Sequence, residues 1–342
     1  MMRKTLCALL AALWLAVPAF SQSSLAGTRA FPFLNLDFDS RTIAMGGASV
    51  AMPNDLYGIV YNPAAAGYIT KRQAVCGYRS IVEDVWGAPL GYAMPYANYG
   101  VFGIHLLDVS FGSLKEKIEN PIDGTPLETG VTWKSYAVAG GLTWSKIVWE
   151  NLSLGGSLKG IYHYIGSNNG NKEYYSASAV ALQAGMQYRW LGSRVITGLV
   201  LDNAGFMVAD YTDQTENLKL PFSVTAGVSY SPEYVPSLRI ALDLQQPADG
   251  FLIYKLGGEL AIYKKYFLIR AGYAFSEPDL EAQLKVLKGE NNDSYQKSNW
   301  AGLSFGVGLN TTVGMTDVGI DAALQLLDNI DPAFGISLMA GF

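Results

Sequence analysis

Cysteine and histidine are nearly missing from this sequence: Cys7, Cys76, His105 and His163 are the whole complement in 342 residues. Cys7 falls in a segment expected to be cleaved off. Cys76 is then the lone thiol, which excludes a disulfide framework and a cysteine metal site. The two histidines stand on separate strand-like stretches, without Gly-x-Ser-x-Gly, His-Glu-x-x-His or P-loop spacing. No catalytic residue, metal ligand or cofactor site is assigned, and the protein is expected to be non-enzymatic. Charge is scarce too, at 15% of residues, and acidic groups exceed basic ones by 29 to 24. That balance lacks the basic footprint of a nucleic-acid partner. Past the first twenty residues there is no apolar run of the ~20 residues that a spanning helix needs.

What is present begins with a leader. Arg3 and Lys4 precede an apolar run from Leu6 to Phe20, and Ala19-Phe20-Ser21 supplies small residues around a cleavage point. Residues 1–21 have the parts of a secretory signal peptide. Without it the chain has 22 basic and 29 acidic residues, a net charge of −7, together with 37 glycines and 21 tyrosines.

Apolar residues then recur at every second position from about residue 71 to the end, the period of a strand with two unlike faces. Leu152, Leu154, Leu158, Tyr162 and Tyr164 alternate with Ser153, Gly155, Ser157, Lys159 and His163. Leu303, Phe305, Val307 and Leu309 alternate with Ser304, Gly306, Gly308 and Asn310. A soluble sandwich would carry Lys and Glu on its outer face. Here the second face is Gly, Ser, Thr, Ala and Gln, as a crowded or water-lined lumen requires, and Trp144, Tyr164 and Trp190 end their segments as interface aromatics do.

About fourteen such segments can be counted, an even number, as single-chain bacterial barrels have. The connections agree. Those after even-numbered segments are brief (Ala97–Tyr99, Ile147–Glu150, Leu191–Ser193, Lys264-Lys265, Thr311–Val313). Those after odd-numbered ones include Gly112–Val131, Gly166–Glu173, Gly205–Leu220 and Glu277–Ser298, the last with a short helix expected through Leu280–Leu287. The fold class is all-β: a transmembrane antiparallel β-barrel over residues 71–342, with a plug or hatch over residues 22–70. In the final segment Phe334, Ile336, Leu338 and Phe342 share one face. They are expected to meet outer-membrane lipid and to serve as the assembly signal for the barrel-insertion machinery.

The plug segment has its own signals. Ile43 to Ala51, with Gly46 and Gly47, suggests a short glycine-containing strand or bend. Asn54 and Asp55 suggest a cap for one short helix, and Asn62 with Pro63 and Ala64 opens another, because Asn caps and Pro fits the first helical position. The glycine pairs 140–141, 155–156 and 257–258 either leave room for the plug or ease strand curvature. Lys159, Arg189, Arg239, Asp243, Lys255, Glu259 and Arg270 fall at inward positions, where they form a polar path or brace the lumen.

The succession Phe33-Leu34, Ser40-Arg41, Ala44-Met45-Gly46-Gly47-Ala48, Asn54-Asp55 and Tyr61-Asn62-Pro63-Ala64 resembles the opening of the PorV/PorQ family of outer-membrane proteins. Gly100–Phe111, Ser176–Ala179, Leu201-Asp202-Asn203, Leu242-Asp243 and Arg270–Tyr273 continue the resemblance. Ala65-Ala66-Gly67 departs from the family's Gly-Leu after Asn-Pro-Ala. What the resemblance implies is a fourteen-strand barrel similar to the FadL class of fatty-acid transporters, with an N-terminal hatch, in the bacterial outer membrane. It also implies a non-enzymatic role in type IX protein secretion, binding or shuttling cargo at the cell surface with other secretion components as partners. The alternative is a FadL-like transporter or channel for a hydrophobic ligand, which predicts a detergent- or lipid-sized apolar cavity beside Asn62.

Overall fold

The computed structural model describes residues 29–53, 56, 58–119, 125–168, 173–211, 218–263, 266–279, 301–328 and 330–342. The strands are β1 (Gln73–Val82), β2 (Val85–Tyr96), β3 (Gly100–Glu119), β4 (Pro126–Trp149), β5 (Leu152–Asn168), β6 (Glu173–Trp190) and β7 (Val195–Ala209). They continue as β8 (Ser223–Tyr230), β9 (Leu238–Pro247), β10 (Ile253–Ile262), β11 (Phe267–Ser276), β12 (Leu303–Val313), β13 (Thr316–Gln325) and β14 (Ala333–Gly341). Each pairs antiparallel with its sequence neighbours, and β14 pairs with β1 from Gln73↔Gly341 to Ser80↔Phe334. The ring of fourteen is closed and exposes no sheet edge.

The closing strand shows why the alternation was legible. Phe334, Ile336 and Leu338 are 45–47% exposed while Gly335 and Ser337 between them are buried, so the apolar face points away from the lumen. Phe342 extends the ladder, donating its N–H to the Arg72 carbonyl at 2.8 Å and accepting from Arg72 at 3.1 Å. Outward aromatics gather at two levels. Tyr96 and Tyr99 pair at one end, Tyr263 and Tyr266 beside them in kind, and Tyr78, Trp86 and Phe334 cluster at the other. Trp86 and Tyr96 lie about ten residues apart on β2, roughly 33 Å of strand, or ~25 Å of height at a barrel's usual tilt, which is the apolar band of an outer-membrane barrel.

The connections differ from expectation in one informative way. Gly112–Val131 is not a loop: β3 runs on to Glu119 and β4 begins at Pro126, with register shifts at Ser110/Ser113 and Lys115/Lys117. This hairpin rises past the band, where both faces meet water and period-2 patterning has nothing to record. Likewise Gly166–Asn168 belongs to β5 and Thr311–Val313 to β12, whose turn is Gly314-Met315 with Gly314 at φ 65°. The expected helix at Leu280–Leu287 and the leader lie outside the described residues, as do Asn54 and Asp55.

The described residues between 29 and 70 run down the inside of the ring. Ser40–Ala44 forms one helical turn, Gly58–Tyr61 another, and Pro63–Tyr68 a 3-10 helix. The stretch expected as a strand or bend is therefore helical at its start. Asp39 caps the turn, accepting from the N–H groups of Arg41 at 2.8 Å and Thr42 at 3.1 Å. Gly46 (φ 63°) and Gly47 (φ 82°) end it in the left-handed conformation that a side chain resists.

Candidate functional site

The lumen is the candidate site, and its lining is set by strand parity. On β10, Leu256 and Leu260 face out, so Lys255, Gly257 and Glu259 face in. A side chain on Gly257 would put its first carbon 2.5 Å from the Met45 carbonyl oxygen. Gly155 meets the carbonyl carbon of Pro63 in the same way at 2.5 Å. Their sequence neighbours Gly258 and Gly156 face outward, with nothing nearer than 3.9 and 3.7 Å. Each of these two pairs thus holds one glycine that seats the plug and one that does not.

The expected plug residues take defined places. Gly46 donates its N–H to Ser304 Oγ at 3.1 Å. Asn62 is fully buried; its Oδ1 accepts from the Ala64 N–H at 3.0 Å, and its amide donates to the Val50 carbonyl at 2.6 Å. Pro63 and Ala64 open the 3-10 helix and pack on β5. Tyr61 accepts at its hydroxyl from the Phe38 N–H at 2.9 Å. Burial pushes the Tyr61 phenol well above its ordinary pKa, and the nearby carboxylates of Asp39 and Asp37 push the same way.

Every charged residue assigned to the inside is there, and most brace it. Glu259 accepts from Arg41 of the plug through two bonds of 2.9 Å and from Arg270 at 2.8 Å, and Arg270 also holds Asp321 at 2.5 Å. Asp243 is wholly buried and accepts through one oxygen from the N–H groups of Ser49 at 2.7 Å and Val50 at 2.9 Å. Lys159 pairs with Asp202 at 2.6 Å. Arg189 lies 3.2 Å from the centre of the Tyr68 ring, and Arg239 donates to Ser229 Oγ at 3.0 Å. Local sequence gives no signal for Arg41 as a partner of Glu259, 218 positions away.

Toward the long-connection end, the lumen turns apolar. Phe31, Phe33 and Phe38 of the plug pack on Val109, Ile161 and a set of inward alanines. His163 sits among these rings, its Nδ1 2.6 Å from the Tyr211 hydroxyl. His105 lies instead across Gly141 of the neighbouring strand, with Nδ1 buried and unpartnered. Asp108, three positions on, is on the opposite face of β3, so the two do not pair. Among the described residues no group of His, Cys, Asp and Glu is arranged to hold a metal.

Two cavities meet at the wall. Inside, a pocket of about 70 Å³ lies between Phe38, Ile59 and Tyr61 of the plug and the strands β1 to β5. Outside, a groove of about 780 Å³ runs across β1 to β6 on the lipid side, floored by Gly140 and Gly160 and flanked by Leu106, Leu142 and Leu158. Val75, Leu90, Gly91, His105, Leu106 and Lys159 line both, so one layer of backbone separates them. Gly91↔His105, His105↔Gly141 and Gly141↔Lys159 are successive ladder partners across that layer. Beside it, Pro89 of β2 has no N–H to give, and the β1–β2 ladder skips from Cys76↔Leu90 to Arg79↔Gly87. The lipid-sized cavity expected beside Asn62 is therefore not where it was sought: Asn62 is packed tight, and the large apolar space lies across the wall.

No protein-family model matches the sequence, and neither does any curated protein. Solved structures do match. The Ralstonia pickettii toluene transporter TbuX aligns with a TM-score of 0.60 at 11% identity, over 90% of this chain and 98% of its own. The Pseudomonas putida toluene transporter TodX gives 0.60 at 12%, over 90% and 98%. A Pseudomonas aeruginosa FadL homologue gives 0.52 at 12%, over 89% and 98%. The fold is that of these FadL-like barrels. The PorV/PorQ resemblance finds no counterpart among these matches.

Proposed function

We propose that the protein is a non-enzymatic channel of the bacterial outer membrane that passes a hydrophobic small molecule sideways through its wall. One observation carries this: the lumenal pocket and the lipid-side groove share six lining residues across a single backbone layer. An apolar solute gains free energy by leaving water for such surfaces and for the acyl chains beyond them. In the conformation described here the route is shut, since the inner pocket of about 70 Å³ holds only a few waters. Passage requires Phe38 and Tyr61 of the plug to shift away from the wall. The likeness in fold to the toluene transporters TbuX and TodX supports the same reading.

The experiment fills the groove. Gly160 faces it with open space around the position of a side chain. Gly160→Trp is expected to fold normally and to cut uptake of a hydrophobic solute several-fold in cells that depend on this protein. Uptake equal to the parent would rule out the lateral route.

A type IX secretion component remains the reading of the sequence resemblance alone. A deletion strain that strands secreted proteins in the periplasm while solute uptake is unchanged would favour it over the channel.

The outward face of Phe334, Ile336, Leu338 and Phe342 is proposed as the signal for barrel insertion. Deleting Phe342 is expected to lower the amount of heat-modifiable barrel in the outer membrane while export of the chain continues. Parent-like amounts of folded barrel in that mutant would remove the role.

A further inference from the structure

Most of the outer wall presents bulky side chains to lipid, but one row across β4 and β5 does not. Leu90, Leu106, Gly140, Gly160 and Val180 are successive ladder partners from β2 to β6, and all face outward. The middle of the row is two glycines side by side. A side chain on Gly160 would meet nothing within 4 Å, and one on Gly140 only Leu106 Cδ1 at 3.4 Å and the His105 carbonyl oxygen at 3.7 Å. Leu142 and Leu158, 64% and 49% exposed, stand up beside them. Bare backbone is therefore the floor of the groove of about 780 Å³, and on this face the groove is filled from the membrane.

One row further toward the long-connection end, the outer face carries a charge. Asp108 follows Leu106 on the same side of β3, between Ala88 and Val138 in the ladder. It is partly exposed, and among the described residues its carboxylate has no hydrogen-bond or ion-pair partner. Lys134, the next outward cation up β4, stands four positions beyond Val138, about 13 Å along the strand. The row above Asp108 is Trp86, Ser110 and Tyr136, and Tyr136 lies 6.2 Å from Tyr162 and 5.4 Å from Tyr164, ring to ring. These rings belong to the aromatic belt, so Asp108 lies where lipid head groups give way to chains. A carboxylate facing lipid is costly unless a cation meets it. The aromatic faces next to it attract cations as well.

We propose that the groove is the binding site of a single membrane lipid with a primary-ammonium head group. An acyl chain lies over Gly140 and Gly160, and the ammonium donates to Asp108 at the edge of the belt. The chain touches backbone beneath it and leucines beside it, more surface than a smooth barrel face offers. A primary ammonium suits the carboxylate better than a quaternary one, which has no N–H to give. An anionic head is repelled. The inference goes beyond the channel reading and does not need it. A solute leaving through the wall would displace the chain, and a barrel without a lateral route would keep it.

The test counts the lipids that the full chain retains after detergent extraction from vesicles. These hold equal parts of phosphatidylethanolamine, phosphatidylcholine and phosphatidylglycerol with identical chains. Native mass spectrometry reads the count, and heat-modifiable migration verifies the folding of each variant. The parent is expected to keep a single phosphatidylethanolamine, favoured about tenfold over the other two, as one charge-assisted hydrogen bond warrants. Asp108→Asn keeps the shape and loses the charge, so a lipid stays bound without preference for its head. Asp108→Lys is expected to turn the preference to phosphatidylglycerol. Gly160→Leu occupies the floor and is expected to cut retention of all three lipids several-fold. Equal retention of the three by the parent, the parent's preference in folded Asp108→Lys, or parent-like retention in folded Gly160→Leu would overturn the proposal. The readout is bound lipid and not uptake, so failure of the channel reading would leave this result standing.

Discussion

Replacing Glu259 with alanine is expected to cost about 3–5 kcal/mol, because it removes one partner from a buried ion cluster and leaves the others desolvated. Arg270 has a side chain only 1% exposed and would keep Asp321; Arg41 would lose both of its 2.9 Å bonds to the Glu259 carboxylate. Arg41 belongs to the helical turn of the plug, so the loss falls on the contact between plug and wall. Two measurements follow: a lowered urea midpoint for the folded barrel in detergent, and a higher open probability or leak in planar bilayers. Glu259→Gln, which keeps an acceptor oxygen, is expected to lie between the two. A parent-like midpoint together with a parent-like leak in Glu259→Ala would show that the cluster does not hold the plug.

The second large effect separates two adjacent glycines. Gly257→Val is expected to drive the plug off β10, since the new carbon would stand 2.5 Å from the Met45 carbonyl oxygen and 3.0 Å from Met45 Cβ. Gly258→Val points the same side chain into lipid, with only the Ala271 carbonyl within 4 Å, at 3.9 Å. The first variant should give a leaky barrel, sensitive to protease added from outside; the second should match the parent or fold slightly better, valine being a stronger strand former. Equal behaviour of the two would mean that residues 40–47 do not rest where they are described. The pair is informative because composition, strand and neighbours are shared and only parity differs.

That parity was already in the sequence. Lys255 and Glu259 were read as inward, and Gly257 shares their phase, so its role as a seat could have been assigned without a structure. The capping of the first helical turn was legible in the same sense. Asp39 stands just before Ser40-Arg41-Thr42, but Gly46 and Gly47 drew the segment toward a strand or bend. The Asn62-Pro63 signal was read correctly because capping depends on residues two positions apart, and Ala64 supplies the N–H.

The height of the β3–β4 hairpin was not legible. Beyond about Gly112 neither face of the strand meets lipid or lumen, so no alternation distinguishes paired backbone from a loop. The aromatic cluster of Phe31, Phe33, Phe111, His163 and Tyr211 was hidden for another reason. Its members come from the plug, β3, β5 and the residues just after β7, and only the closed ring brings them together.

The sequence by itself determined the barrel: the strand count, the face of each strand, the closing strand and the presence of something inside. Lipid and a narrow lumen impose opposite demands on alternate residues, and every spanning strand records them with period two. Only the tertiary structure decided what the interior does. Arg41 finds Glu259 and Val50 finds Asp243 because the ring closes around the plug. Closure joins positions hundreds of residues apart, a relation that no local pattern of residues encodes.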